Sequence, residues 1–458
     1  MPLADFPAAL QNIIQTGYLE HEFKRGLTAK LAFRRCADRE TVPVAIGQTM
    51  TSTREGLLPS VTTPINTAAV STQVAALTAA TPILQTAARL DNGLIPQAKR
   101  FEQYTIGIDA YGATMDLNIR TSRVAIANQF TQNAYLLGEQ AARSLDDIAR
   151  NALYATYSGG NTFVRVATAA TSVPVDDVRG FLLTASNGTQ AAVTPSNPLA
   201  VVIGAGSYTV TSVAPDVTNV STTYGGVSGV LTLAAAVSSG DGAQYSPAVA
   251  AAAPSLIRPN GKATAQALTP SDKLTMSALL DAVATLESNN VPMIDGFYDV
   301  VVGPKSARQL FADPDFKQLF QGATNENEAF KRGAIEAPFL GMRFSRSTQV
   351  PVFPHPTVAG LMVQNPIVLG MGALVEGDFE GLTNPDDGGT RSLDEETLVD
   401  GIRMVTRPPM DRLGSVITQS WNWDGGFVAP TDVFTDPTTV MSATNAAYKR
   451  AIVIQHAA

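Results

Sequence analysis

TSRVAIANQFTQNAYLLGEQAARSLDDIARNALYATY, residues Thr121 to Tyr157, is the longest unbroken helical signal in the chain. No proline interrupts it. Phe130, Ala134, Leu137, Ala141, Leu145, Ile148 and Ala152 recur at steps of three and four, which places them on one face of a helix and marks Phe130, Leu137, Leu145 and Ile148 as its packing residues. The opposite face carries Glu139 four residues before Arg143 and Asp146 four before Arg150, a spacing that stabilises each turn by roughly 0.2–0.5 kcal/mol. Thr121 or Ser122 caps the start, and Ser158-Gly159-Gly160 stops the helix. At 1.5 Å per residue it spans roughly 50 Å, longer than an ordinary domain of a hundred residues is wide. Such a helix predicts a plate-like body.

With 458 residues, 45% apolar and 16% charged, the chain can bury substantial cores and has the length for two to four structural units. A net charge of -8 argues against affinity driven by phosphate neutralisation. The single cysteine, Cys36, excludes an internal disulfide and fits a reducing compartment. MPLADFPAALQN lacks the basic start of a secretion signal, and nowhere do 18 apolar residues run together, so the expectation is neither export nor a membrane span. The charges are unevenly spread. Between Gln48 and Ala88 there are only Arg54 and Glu55, and between Phe163 and Ile257 only Arg165, Asp176, Asp177, Arg179, Asp216 and Asp241. A free monomer wets about a quarter of its surface positions with charge. These stretches imply either surface covered by further copies of the chain or a Thr/Ser/Gln-coated β-surface.

Outward from the helix, Leu10, Ile14, Phe23, Leu27 and Leu31 have the spacing of an amphipathic arm, broken near Gly17 and Gly26 and ending at Arg34-Arg35. That basic pair reads as a contact with nucleic acid or an acidic neighbour, or as two solvated arginines. From Glu40 to Asn118 the pattern is extended, and Tyr104, Ile106 and Ile108 alternate as in a strand. Strand regions flanking a long weakly charged excursion predict a protruding hairpin. After the helix, Asn161 to Lys262 is a compositional island of short apolar runs separated by Asn187-Gly188, Pro195-Ser196-Asn197-Pro198, Tyr224-Gly225-Gly226 and Gly240-Asp241-Gly242. It predicts an inserted β-barrel or sandwich. Thr269-Pro270-Ser271-Asp272 then reads as a helix cap, FYDVVVGP as a buried strand, KSARQLFA and DPDFKQLFQG as helices, Glu376 to Asp400 as an acidic loop, and YKRAIVIQ as a last strand.

Catalytic constellations are missing. His21, His355 and His456 are far apart and none has partners at metal-ligand spacing. There is no Gly-x-Ser-x-Gly elbow and no phosphate loop; Gly261-Lys262 is followed by Ala263. Gly370-x-Gly372 reads as close strand packing, Asp394-Glu395-Glu396 as a solvated run, and Asp386-Asp387-Gly388-Gly389 lacks the alternating acids of a calcium loop. Cys36 has no evident base. No enzyme and no cofactor or metal are expected, and assembly remains as the activity.

The order of parts resembles the major capsid proteins of tailed bacteriophages, with the Johnson fold, and within them the coat family of the N4-like podophages. The resemblance rests on Leu137 to Ala141, Leu145-Asp146 and Arg150-Asn151 in the long helix; on YDVVVGPKSARQLFADPDFKQLF from Tyr298 to Phe320; on GAIEAPFLGMRFSRSTQV from Gly333 to Val350; and on RPPMDRLGSVITQSWNWDGGFV near the end. It implies an α+β chain: an N-terminal arm over 1–40, an extended hairpin loop over 41–120, a spine helix over 121–160, the inserted β-domain over 161–262, an axial α/β domain over 263–400 and return strands over 401–458. It further implies self-assembly into hexamers and pentamers of an icosahedral head, with portal, scaffolding and decoration proteins as partners. Double-stranded DNA would be held non-specifically inside, with no membrane involved; the virion is the location and the bacterial cytoplasm the place of synthesis. The insertion lies outside the minimal fold and its role is open. Some members of the fold weld neighbours through a loop lysine; no lysine lies between Thr41 and Ala98, so no cross-link is expected. The rare charges of the loop, Arg54, Glu55, Arg89, Lys99 and Arg100, are candidates for intersubunit contacts that set its register. A nanocompartment shell around enzyme cargo and a non-enclosing phage structural protein are the alternatives.

Overall fold

The computed structural model describes residues 6, 10–11, 18–27, 32–43, 49–55, 101–119, 126–186, 189–251, 253–317, 340–380, 395–399, 401–409, 412–432 and 447–458. The chain forms two compact units. One comprises Met1–Met50, Thr105–Arg150 and Leu374–Val428, the other Thr51–Tyr104, Asn151–Ala373 and Ala429–Ala458.

In the first unit the long helix runs Ile126–Tyr157, continuing past the unit's limit at Arg150. Phe130, Ala134, Leu137, Ala141 and Leu145 have no exposed surface, and Ile148 packs against the same cluster. Glu139 pairs with Arg143 at 2.5 Å as the spacing predicts. The second predicted pair is different: Arg150 takes Asp147 at 2.7 Å, one residue nearer, because Asp146 is buried and turned to other partners. The helix face packs on a sheet organised by Val416–Val428. That strand alternates strictly, burying Ile417, Gln419, Trp421 and Trp423 and leaving the residues between half-exposed. Its first ten residues pair antiparallel with Asp109–Asn118. Its other edge takes Ile402–Arg407, which carries Glu395–Val399. Its end, from Gly425, takes Leu374–Glu380, to which Ala37–Pro43 adds in parallel. The expected acidic loop from Glu376 is therefore a strand at its beginning and, at Glu395–Val399, near its end.

The arm helix spans Tyr18–Leu27 and buries Leu19 and Phe23 against the long helix's cluster. Gly26, near which a break is expected, is its next-to-last residue. The glycine serves packing: a Cβ on Gly26 would collide with the Tyr135 carbonyl, and one on Gly138 with the Phe23 carbonyl. Two glycines facing each other let the backbones touch, and this outweighs the roughly 1 kcal/mol that glycine costs in a helix.

In the second unit the island is a closed barrel. Six strands run in the order Asn161–Phe163, Pro247–Ala250, Leu199–Ile203, Gly206–Val220, Val227–Leu233 and Ser172–Val175. The last returns to the first: Val164 bridges Val175, Arg165 N donates to Pro174 O at 2.9 Å and Asp176 N to Phe163 O at 3.2 Å. Closure removes the unpaired edges of an open sheet. Val173, Val175, Val201, Ile203, Val210, Leu231 and Leu233 fill the interior at alternate positions. Asp176 is fully buried and accepts from Ser221, Thr222 and Thr223, which pins the turn after the long strand.

The α/β part of this unit has a five-stranded sheet ordered Leu256–Ile257, Ala451–Ile454, Ile367–Leu369, Tyr298–Val302 and Met342–Arg346. Tyr298–Val302 is buried at every position, including Asp299, whose carboxylate is paired with Arg343 on the neighbouring strand. Helix Pro304–Ala312 starts on proline, whose missing N–H costs nothing at that place. Helix Met276–Ser288 is capped by Thr275, not at Thr269–Asp272. Asp272 instead accepts from the Thr269 backbone and hydroxyl and from Asn260, closing a turn before the helix.

Candidate assembly elements

In the first unit, a buried ion pair fixes the point where the arm leaves the body. Arg34 Nε donates to both Glu376 oxygens at 3.1 Å and Nη2 to Oε1 at 2.6 Å, with the two side chains 2% and 0% exposed. The guanidinium also lies over the Trp423 ring at 6.0 Å, and Arg39 approaches Glu376 at 3.7 Å. Arg34 is thus an internal residue, while Arg35 is exposed. Asp146, from the long helix, accepts the backbone N–H groups of Phe33 at 2.8 Å and Arg34 at 3.0 Å. Burial raises its pKa above the ordinary carboxylate value, although those N–H donors work the other way. One arginine, one helix carboxylate and one strand carboxylate hold a single turn of arm. Removing one partner of such a buried pair costs about 3–5 kcal/mol, because the other charge is stranded.

The strands that flank residues 56–100, Thr49–Glu55 and Phe101–Gly107, pair with each other. Within the second unit, Arg54 Nη1 binds both oxygens of Asp432 at 3.0 and 3.2 Å and Nη2 the Gly372 carbonyl at 3.0 Å, over the Tyr104 ring at 5.8 Å. Gly372 has φ +75, a conformation that suits glycine and turns its carbonyl to this arginine. Arg450 adds a second cation to Asp432 at 2.8 Å. Burial works against the Arg54 charge, yet Asp432 outweighs it and holds the guanidinium above its ordinary pKa. Glu102 accepts the Thr431 backbone N–H at 3.0 Å and the Thr431 hydroxyl, and burial raises its pKa.

Of the loop charges singled out in the sequence, Arg54 lies in this cluster and Glu55 is exposed beside it; Arg89, Lys99 and Arg100 lie outside the described residues. Phe130, Leu137, Leu145 and Ile148 come together in one core with Trp421 and Trp423. Glu376, Asp432 and Arg450 were missed in the sequence. Glu376 is 342 residues from Arg34 and Asp432 is 378 from Arg54, and no local pattern reports such a partner.

The histidines are used structurally. His21 is exposed, His355 Nδ1 accepts from Thr357 N and Val358 N, and His456 Nε2 meets Ser306 Oγ at 2.8 Å. The last pair is wholly buried, His456 Nδ1 faces the Ala457 carbonyl instead of a carboxylate, and burial pulls the imidazole down to about 4. A neutral imidazole in that setting ties the helix at Pro304 to the last strand. Cys36 is buried and its thiol points to the Ala32 carbonyl at 3.4 Å. Among the described residues no group of three His, Cys, Asp or Glu side chains is placed to hold a metal ion, and no helix is long and apolar enough to cross a membrane.

No family model and no curated protein matches the chain. Among solved structures, it is similar to the capsid of Ralstonia phage GP4, at 13% identity and a TM-score of 0.49, over 94% of this chain and 89% of that one. The capsid of cyanophage P-SCSP1u is similar at 11% identity and 0.42, over 93% and 88%. The SrpI encapsulin complex of Synechococcus elongatus PCC 7942 is similar at 9% and 0.35, over 92% and 85%.

Proposed function

We propose that this chain is the major capsid protein of a tailed bacteriophage, akin to the N4-like podophage coat family. One observation carries the reading: a helix of 32 residues, buried on one face by an arm helix and a sheet, is followed in order by an inserted barrel and an α/β part. The described parts of the four motifs quoted above lie on the long helix, on Tyr298–Val302 and Pro304–Ala312, on Met342–Arg346 and on Val416–Val428. In this reading function is geometric. Copies join as hexamers and pentamers, closed by symmetry into an icosahedral head. The loop between Glu55 and Phe101 reaches a neighbouring copy, its register set by Glu55, Arg89, Lys99 and Arg100, while Arg54, held by Asp432, fixes where the loop begins. Apolar contact contributes roughly 25 cal/mol per Å², so modest contacts suffice when repeated over a shell. The head encloses double-stranded DNA without reading its sequence, as the net charge of -8 fits. Portal, scaffolding and decoration proteins complete the virion, and the chain is made in the bacterial cytoplasm.

The contents of particles test this. Particles recovered from infected cells are expected to hold nuclease-resistant double-stranded DNA. Particles that hold an enzyme and no DNA would make the chain a nanocompartment shell instead.

A further inference from the structure

A cleft in the second unit gathers residues that none of the roles above uses. It is small and partly open to solvent, where the root of the barrel meets the α/β part, and Ser158, Thr222, Arg258, Thr264, Phe353 and Gln455 line it. Arg258 Nε donates to Gln455 Oε1 at 2.9 Å and Nη1 to the Ala263 carbonyl at 2.6 Å. A guanidinium has five N–H donors, so most of its capacity is left over. No carboxylate lines the cleft, and among the described residues none pairs with Arg258. The residue is half-buried: its bond to Gln455 lies partly inside and its bond to Ala263 at the surface. Burial with nothing to offset it pulls the group down to about 10, which still leaves it charged at neutral pH. Ser158 and Thr264 are each 7% exposed, and among the described residues their hydroxyls make no hydrogen bond. Even a half-buried cation gains from a counter-charge. The arrangement offers a positive fork and two free hydroxyls, with no acid to compete.

We propose that this cleft binds one compact oxyanion, of carboxylate or phosphate class, on the Arg258 guanidinium, with Ser158 and Thr264 as further donors. The planar fork matches the two oxygens such a group presents. The anion comes either free from solution or as an acidic side chain of a second copy.

Thermal unfolding of the full-length, unassembled chain tests this, with sodium phosphate replacing sodium chloride at constant ionic strength. A site that binds only the folded chain gives a saturating rise in Tm. General salting effects give a non-saturating rise. The saturating component is expected in the wild type and is absent in Arg258→Gln. That variant also loses the bonds to Gln455 and Ala263; if it fails to fold, Ser158→Ala and Thr264→Val, which leave those bonds intact, carry the test. Each should raise the phosphate concentration at half-effect several-fold. The same non-saturating rise in wild type and variants would overturn the proposal. The test on the unassembled chain stands apart from the shell reading; only the choice between the two sources rests on it. In assembled particles, a persistent phosphate effect identifies free anion as the occupant. An effect present in the subunit and gone in the particle identifies a neighbour's carboxylate.

Discussion

Asp146 shows most plainly what a single residue does here. Its carboxylate accepts two backbone N–H groups of the arm, at Phe33 and Arg34, from inside the core. Asp146→Ala leaves both donors buried and unmet, at about 1–3 kcal/mol each, so a loss of about 2–6 kcal/mol is expected. Asp146→Asn keeps an oxygen for them and is expected within about 1 kcal/mol of wild type. The raised pKa fixes the sign of the pH dependence: the folded state binds this proton more tightly, so stability from this group is present in acid and lost as pH rises through its folded pKa. Asp146→Asn should remove that component, read by urea unfolding at a series of pH values. The sequence placed Asp146 on a polar helix face because its spacing to Arg150 is that of an exposed pair. Nothing within a few turns announces that Phe33, 113 residues earlier, is its partner. Local charge patterns report partners on the same helix; a buried charge finds its partner through the fold.

Elements were more legible than their partners. The long helix, the buried strand at Tyr298 and the all-β island follow from period and punctuation, which are local. One error at this scale has a clear cause. Thr269–Asp272 reads as a cap because it has the right residue types, yet Asp272 is drawn into a turn with Asn260. Gly26, near which a break is expected, is the next-to-last residue of its helix and lies against Gly138. That contact has a direct check. Gly26→Val would force a methyl-bearing carbon into the Tyr135 carbonyl and separate the helices, and a loss of about 1–3 kcal/mol or more is expected by urea unfolding. Glu20→Ala, on the exposed side of the same short helix, should stay within about 0.5 kcal/mol. Equal effects from both would mean that the arm helix is not held by this glycine contact.

At the scale of the whole molecule, a buried ion pair stands at the root of the arm, at Arg34, and another at the root of the loop, at Arg54. In the proposed assembly, a segment that docks on another copy gains from such a fixed origin, because less of its freedom is lost on docking. The sequence bears on this only through composition: the two charges between Gln48 and Ala88 fit either surface covered by another copy or a Thr/Ser/Gln-coated face. Which residues meet across copies is a property of the assembly and is not written in any local pattern. The most direct measurement is therefore negative-stain electron microscopy of the chain expressed alone and with its neighbouring genes. Closed icosahedral particles of uniform diameter are the predicted result. Soluble monomers under every condition, including co-expression with the whole neighbourhood, would contradict it.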